Sequence, residues 1–277
     1  MVASIRRVLQ KDTTETIYSR FRDLFNGRPY LSLWRSLEAI SIISALESLC
    51  IEPGLKGCIT IDIGCGDGLT TRGIGWRFSA GIEPDTFSAT QALNSGQYEM
   101  VVVGDATELP LKDGIIDTAL SNCVFEHIFK IEEAFSEVRR ILAGGGSLIL
   151  TMPVRGLVSD IVFFLPLSLI GLYGYIERFI DKGLRHFHYF DGKILAMIED
   201  SGLRVIYRSY YMPDFLVSWW LFLRYAERVF RRLHLAWFWR CMAKVIEKLN
   251  CCLVRSSHRY MSRGGGGVVM ILAKEGE

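Results

Sequence analysis

ITIDIGCGDG, the ten residues from Ile59 to Gly68, joins a short apolar run to a glycine-rich loop. Glycines at Gly64, Gly66 and Gly68 allow a sharp turn and a close approach of the backbone to a ligand, with helix N–H groups directed at it. The spacing is GxGxG, whereas a dinucleotide fingerprint would need a third glycine at Leu69, and the lysine of a P-loop is absent. The loop therefore predicts a nucleotide-type site without identifying its ligand.

Short apolar runs alternate with helical stretches along most of the chain. Seven runs predict strands, at Cys58–Ile63, Ala80–Glu83, Met100–Val103, Ile116–Ser121, Gly146–Met152, Leu203–Tyr207 and Val268–Ala273. Helical patterns separate most of them, at Leu69–Trp76, Thr86–Leu93, Ile131–Leu142 and Gly192–Ser201. Buried strands that alternate with helices are typical of a parallel sheet covered by helices on both faces. We therefore predict an α/β core, preceded by helices within residues 13–49.

Polar residues follow four of the predicted strands. Asp62 and Glu83 end the first two, Asp105 follows the third, and the run from Asn122 to His127 follows the fourth. The carboxyl ends of strands in an open α/β sheet line one crevice, where ligands bind. A carboxylate at the end of the second strand can accept both hydroxyl groups of a ribose. The pattern therefore predicts one crevice suited to a nucleoside.

The ordered set of motifs resembles the class I S-adenosylmethionine-dependent methyltransferases of the methyltransferase type 11 group. The matching segments are Asp62–Gly68, Glu83–Pro84, Gly104–Pro110, Asp113–Asp117, Val124–His127 and Glu137–Gly146. The resemblance implies a Rossmann-like, mostly parallel sheet of seven strands, with the last strand antiparallel to the rest and with helices on both faces. It also implies S-adenosyl-L-methionine as the cofactor.

The resemblance further implies which residues bind this cofactor. They are Asp62, Gly64, Cys65, Gly66, Gly68, Glu83, Pro84, Asp105, Ala106 and Asn122. Glu83 would bind the ribose, Asp105 the adenine amino group and Asp62 the methionine amino group. Asn122 would face the methionine part, and Pro84 stands where the family often has a flexible apolar residue against the adenine.

His127 is the candidate catalytic residue, because it lies just after the fourth strand. Methyl transfer from a sulfonium releases a neutral leaving group, so catalysis depends mainly on orientation of the acceptor. A base is needed only where the acceptor must lose a proton, and His127 could be that base. In the alternative, His127 begins the next helix and packs beneath the cofactor.

His186, His188 and Tyr189 are the candidate contacts with the acceptor. They lie between the fifth strand and the next helix, where members of the resembling family often place substrate contacts. A His-x-His pair could also bind a metal ion, but the sequence shows no carboxylate or third ligand beside it. We therefore predict no metal site.

The composition excludes several classes of protein. Half of the 277 residues are apolar, which argues against a disordered or fibrous chain, and a net charge of +2 gives no global footprint for nucleic acid. Seven cysteines without metal-ligand spacing favour a reducing cytoplasm, and the N-terminus lacks the apolar core of a signal peptide. The longest uncharged run, Ile161–Ile176, is shorter than the roughly 20 residues of a spanning helix.

Residues 210–263 differ from the rest of the chain in charge. They contain 10 Lys or Arg against 3 Asp or Glu, and four of the six tryptophans, at Trp219, Trp220, Trp237 and Trp239. A basic amphipathic helix with tryptophans suits the boundary of a membrane. We therefore predict a peripheral contact with an anionic surface on the cytoplasmic face of a membrane. The alternative is a helical cap packed on the core or on another subunit.

These observations predict four parts of the chain and one function. The parts are an N-terminal helical cap (1–54), an S-adenosylmethionine-binding α/β core (55–209), a basic amphipathic helical insertion (210–263) and the last core strand (264–277). The function is methyl transfer to a small-molecule or lipid-linked acceptor. A non-catalytic scaffold at a membrane is the main alternative, and a nicotinamide-dependent reductase is disfavoured by the GxGxG spacing. The motifs describe the donor side only, so the acceptor atom and the oligomeric state stay open.

Overall fold

The computed structural model describes residues 14–49, 57–154, 186–188, 190–257 and 265–274. These residues form two compact units. The helical unit contains the described residues 14–43, 210–257 and 265–267, and the α/β unit contains 44–49, 57–154, 186–188, 190–209 and 268–274. The apolar run Ile161–Ile176 and the candidate residue Tyr189 lie outside the described residues. The four-part division of the chain stays a prediction.

Seven strands form one mixed sheet in the order β3-β2-β1-β4-β5-β7-β6. The strands are β1 (Thr60–Ile63), β2 (Phe78–Glu83), β3 (Tyr98–Val103), β4 (Ile116–Asn122), β5 (Leu142–Pro153), β6 (Leu203–Tyr211) and β7 (Gly267–Lys274). β3, β2, β1, β4 and β5 pair in parallel with their neighbours. The order of strands reverses between β1 and β4, and ligands of such sheets bind at the carboxyl ends of the strands beside this point. The predicted α/β fold is confirmed.

Five helical segments connect these strands in the described part of the α/β unit. They are α3 (Leu69–Ile74), α4 (Thr86–Asn94), a 3-10 helix (Phe125–His127), α5 (Ile131–Ile141) and α6 (Gly192–Asp200). The Asp85 carboxylate caps α4 by accepting from the Ser88 N–H, and Asp191 caps α6 in the same way. The α5 helix buries residues at helical spacing, including Ala134, Phe135 and Val138. This buried face explains the helical pattern that the sequence shows at Ile131–Leu142.

The boundary between α5 and β5 differs from the sequence prediction. The sequence pattern places Leu142 at the end of the helix and predicts that the strand begins at Gly146. In the structure β5 begins at Leu142, which pairs with Ile116. The register shifts between Ile116 and Thr118, and Gly145 has a φ of +81°. The first residues of β5 are irregular and rich in glycine. They lack the apolar/polar alternation that indicates a strand, so the sequence pattern does not predict this part of β5.

The helical unit is formed by the two N-terminal helices and by the insertion. The helices are α1 (Thr14–Leu24), α2 (Pro29–Leu49), α7 (Asp214–Arg232) and α8 (Ala236–Ser257). Buried Glu38 on α2 accepts hydrogen bonds from the Tyr211 hydroxyl at 2.9 Å and from Trp34 Nε1 at 3.3 Å, and it pairs with Arg35 at 2.6 Å. Tyr18 on α1 donates to buried Glu247 on α8. Polar bonds between buried groups therefore join helices from opposite ends of the chain.

The four tryptophans of residues 210–263 have different environments. Trp220 and Trp239 are only 6% and 3% exposed, and Trp219 donates to Asn250 Oδ1 at 2.8 Å. Trp237 is 61% exposed. Trp220 and Trp239 thus belong to the core of the helical unit, Trp219 is half-buried, and Trp237 is exposed. Within the described ranges, every helix is too short or too polar to cross a bilayer.

Candidate active site

The loop after β1 turns through three glycines with positive φ. The φ values are +74° at Gly64, +55° at Gly66 and +76° at Gly68. The Gly64 N–H donates to the Ile82 carbonyl at 2.8 Å, and a Cβ at Gly64 would overlap the Val124 side chain. A Cβ at Gly66 would meet nothing within 4 Å. Gly64 is therefore required by packing, whereas Gly66 borders open space that a ligand could occupy.

Glu83, at the end of β2, has its carboxylate fixed by backbone donors. Its Oε2 accepts from the Gly66 N–H at 3.0 Å, and its Oε1 accepts from the Asp85 N–H at 3.1 Å. Each carboxylate oxygen has two lone-pair sites, so these bonds leave capacity for further donors. The carboxylate is therefore oriented and able to accept two hydroxyl groups.

Asp62, in β1, is buried and held by two side chains that the sequence analysis missed. Its Oδ2 accepts from the Thr71 hydroxyl at 2.6 Å and from the Tyr98 hydroxyl at 2.7 Å. Burial raises the pKa of Asp62 to about 6; the two hydrogen bonds oppose this shift and the charge of Glu83 adds to it. A nearby cationic group would favour the ionised form and lower this pKa again.

Asp105 follows β3 in a loop that Arg140 holds in place. Its Oδ1 accepts from the backbone N–H and the hydroxyl of Thr107 at 2.8 and 2.7 Å, and these bonds hold the pKa of Asp105 below its usual value. Arg140 donates to the carbonyl groups of Leu109 and Leu111 at 2.9 and 2.8 Å. The exposed carboxylate is thus presented by a loop with a defined conformation.

A cavity of about 370 Å³ opens at the carboxyl ends of β1 to β4. Five predicted site residues line it, namely Gly64, Pro84, Asp105, Ala106 and His127. Ile82 and Ile128 add apolar surface. The other predicted cofactor residues lie outside the lining, namely Asp62, Cys65, Gly66, Gly68, Glu83 and Asn122. The volume is within the range of about 300–1,000 Å³ typical of small-molecule sites.

Asn122 and the two nearby cysteines have structural contacts. The Thr151 hydroxyl donates to Asn122 Oδ1 at 2.7 Å and accepts from the Cys123 N–H at 3.0 Å. Burial raises the pKa of the Cys65 thiol, which keeps this thiol protonated and unreactive at neutral pH. Thr151 therefore orients Asn122, and Cys65 acts as a small packing residue.

The segment 186–188 lies against the 3-10 helix that follows β4. The N–H groups of Phe187 and His188 donate to the Glu126 carbonyl at 2.8 and 3.2 Å. The ring centroids of His127 and His186 are 4.9 Å apart. The structure thus brings His186 beside His127, and it adds Glu126, a residue of the Val124–His127 motif to which the sequence analysis gives no role.

The comparisons with known proteins agree with this geometry. Residues 61–150 match a family model described as a methyltransferase domain. Residues 61–150 thus form a methyltransferase domain within the α/β unit.

Curated relatives match well under half of the chain. Over 112 residues the chain is 31% identical to malonyl-(acyl-carrier protein) O-methyltransferase of Geobacter sulfurreducens, which covers 38% of this chain and 42% of that protein. Over 123 residues it is 30% identical to ajmaline N-methyltransferase of Rauvolfia serpentina, covering 39% and 42%. The match therefore spans less than half the length of each relative.

Solved structures share the fold over most of the chain. An S-adenosylmethionine-dependent methyltransferase of Thermotoga maritima has a TM-score of 0.53 and 17% identity, covering 94% of this chain and 100% of that one. Geranyl diphosphate C-methyltransferase of Streptomyces coelicolor, solved with S-adenosyl-L-homocysteine, has a TM-score of 0.53 and 16% identity, covering 88% and 79%. At these identities the likeness shows that the methyltransferase fold is shared.

Proposed function

We propose that this protein transfers a methyl group from S-adenosylmethionine to a small-molecule acceptor. One observation carries the proposal. Asp62, Glu83 and Asp105 stand on or after adjacent strands of the sheet, and each lies in the lining of the 370 Å³ cavity or next to a lining residue. When bound, the cofactor supplies an electrophilic methyl group on a sulfonium and leaves as a neutral thioether.

The residues present fit this cofactor. Glu83 accepts the two ribose hydroxyl groups with the lone pairs that Gly66 and Asp85 leave available. Asp105 accepts from the adenine amino group, while Pro84 and Ala106 pack against the ring. The open side of Gly66 leaves room for the rest of the cofactor.

The methionine part of the cofactor is bound by the remaining predicted residues. Asp62 holds its cationic amino group, directly or through water, and this contact offsets the cost of burying the carboxylate. Gly64 and Gly68 shape the loop, and Asn122, oriented by Thr151, faces the methionine part. The role of general base for His127 stays a prediction, supported by its place in the lining.

Calorimetric titration with S-adenosyl-L-homocysteine tests the donor site. We expect the wild type to bind and Glu83→Ala to bind at least about 100-fold more weakly, because it loses two hydrogen bonds to a charged group that contribute about 1.5–3 kcal/mol each. Glu99→Ala, at an exposed position on β3, is the matched control and should bind normally. Absence of binding by the folded wild type, or binding of NADH in its place, would contradict the proposal.

Incubation with a deuterated methyl donor tests the reaction. Mass spectrometry of metabolite and lipid extracts should show a labelled product that is missing with Glu83→Ala. Cofactor binding without any labelled product would favour the non-catalytic scaffold instead.

We further propose that the helical unit contacts an anionic membrane surface and that the acceptor is lipid-linked. Exposed apolar side chains support this, because Phe215, Phe222 and Val229 follow one face of α7 and Leu233 lies at its C-terminal end. The turn into α8 adds further exposed apolar side chains at Leu235, Trp237 and Phe238. Exposed arginines flank this turn, at Arg231, Arg232 and Arg240. An exposed apolar tip ringed by cations is typical of an interfacial contact.

Liposome flotation tests the membrane contact. The wild type should float with vesicles that contain phosphatidylglycerol, less so with phosphatidylcholine alone, and binding should weaken as salt is raised. Trp237→Gln should reduce flotation, whereas Phe87→Gln, which changes another exposed aromatic residue, should not. Flotation equal for both variants, or unaffected by salt, would contradict the contact. The free thiols of the described cysteines are consistent with a cytoplasmic location for this contact.

A further inference from the structure

Three potential metal ligands come together beside the cavity. They are Glu126, His127 and His186, and one ligand atom of each lies within 4.8 Å of the others. Among the described residues this is the one such group of three. The sequence analysis predicts no metal site because no carboxylate or third ligand lies beside the His186-x-His188 pair in the sequence. The fold supplies both, since Glu126 and His127 follow β4 and His186 comes from a distant segment.

Contacts outside the three side chains hold this arrangement. The Glu126 carbonyl accepts from the N–H groups of Phe187 and His188. The rings of Phe129 and Phe187 meet edge to face with centroids 5.8 Å apart, and His188 Nε2 lies 3.3 Å from the Phe129 carbonyl. The backbone of 186–188 is therefore tied to the 3-10 helix, which fixes His186 opposite Glu126 and His127 before any ion binds.

The donor set indicates the class of ion. Glu126 is 1% exposed, and a buried carboxylate is costly unless a compensating charge or donor accompanies it. Two imidazoles and one carboxylate form the three-ligand set of catalytic zinc sites, which keep a further position open for water or substrate. Imidazole nitrogens favour borderline ions such as zinc over magnesium or calcium.

We propose that Glu126, His127 and His186 bind a divalent ion of the zinc type at the wall of the cavity. The open coordination position would take an oxygen or nitrogen atom of the acceptor, and this second statement rests on the proposed function. A metal-bound imidazole has no lone pair left for a proton, so metal binding by His127 and the predicted role of His127 as general base are alternatives.

Cobalt and zinc titrations of the metal-free full-length protein test the site. Co²⁺ bound to nitrogen and oxygen ligands should give visible d–d absorption bands, and Zn²⁺ should displace it. His186→Gln should lower Co²⁺ affinity by about 100-fold or more, above the roughly 10–100-fold that loss of an outer-shell partner costs. His234→Gln removes an exposed imidazole of the helical unit and should leave the cobalt spectrum unchanged.

Two variants, Glu126→Gln and His186→Gln, decide whether the metal site exists. Glu126→Gln should also lose the bands; if it fails to fold by circular dichroism, His186→Gln decides alone because His186 is only half-buried. Bands of equal strength in wild type and His186→Gln, or no bands in the folded wild type, would overturn the site. Calorimetry with S-adenosyl-L-homocysteine on the same metal-free protein shows separately whether the donor site exists, so the two proposals fail independently.

Discussion

The proposed contact between Asp62 and the cofactor amino group makes cofactor binding depend on pH in a defined direction. Burial raises the pKa of Asp62 to about 6. The ionised carboxylate attracts a cationic amino group and the protonated acid does not, so a proton competes with the cofactor. We therefore expect S-adenosyl-L-homocysteine to bind more tightly as pH rises through about 6, with a plateau above it.

The size of the effect follows from the position of this pKa. Each pH unit below it corresponds to about tenfold, or 1.36 kcal/mol, so affinity should fall about tenfold between about pH 7 and pH 5. Asp62→Asn keeps the side-chain size but removes the titrating group. Its affinity should be weaker near neutral pH and nearly independent of pH. Calorimetric titrations across this range measure both quantities.

Tyr98→Phe tests the cause of the shift. The hydrogen bond from Tyr98 lowers the pKa of Asp62, so its removal should move the midpoint of the binding curve to higher pH. Tyr207→Phe, on β6, is the matched control and should not move it. A midpoint that persists in Asp62→Asn, or one that moves to lower pH in Tyr98→Phe, refutes this account of the site.

Two further predictions concern the loop and the helical unit. Gly66→Ala and Gly114→Ala each place an alanine at positive φ in open space, so both should lose about 1–2 kcal/mol of unfolding free energy. Only Gly66→Ala should weaken binding of S-adenosyl-L-homocysteine in calorimetry, and equal affinities would argue against a cofactor at this loop. Tyr211→Phe removes the bond to buried Glu38 and should lower the unfolding free energy by about 1.5–3 kcal/mol in denaturant titrations. A change within error would show that Glu38 finds another donor.

The strands could be predicted because each is a buried apolar run bounded by turn residues. All seven appear where the pattern placed them, with ends that differ by a few residues. The largest difference is at β5, where the segment from Leu142 to Gly146 carries no alternation. This segment is a strand because Leu142 pairs with Ile116 on β4. Such pairing between strands cannot be predicted from the local sequence.

The site could be predicted only in part, for a related reason. Glu83 and Asp105 are recognisable because Glu83 ends one strand and Asp105 closely follows another. Tyr98, which holds Asp62, and Thr151, which holds Asn122, act across the sheet from other strands. Their contacts arise from the fold, so residue type and spacing gave no signal for them.

The basic segment shows the limit of helical periodicity. A stripe of apolar residues on a helix looks the same whether it faces a membrane or another helix. Trp220 packs against Trp34 with ring centroids 4.9 Å apart, whereas Trp237 is exposed. Whether such a stripe is buried or exposed depends on the residues that pack against it. For Trp220 this residue is Trp34, on an N-terminal helix.

The specificity for the acceptor cannot be transferred from the relatives, for a structural reason. The family match ends at residue 150 and contains all of the predicted cofactor residues, from Asp62 to Asn122. Two of the matching relatives are named as an O-methyltransferase and an N-methyltransferase, so this shared part is compatible with different acceptor atoms. His186 lies beyond the match, and it meets Glu126 and His127 from within it. If His186 completes the proposed metal site, a segment outside the family match would restrict the acceptor of this protein to molecules that can coordinate the ion.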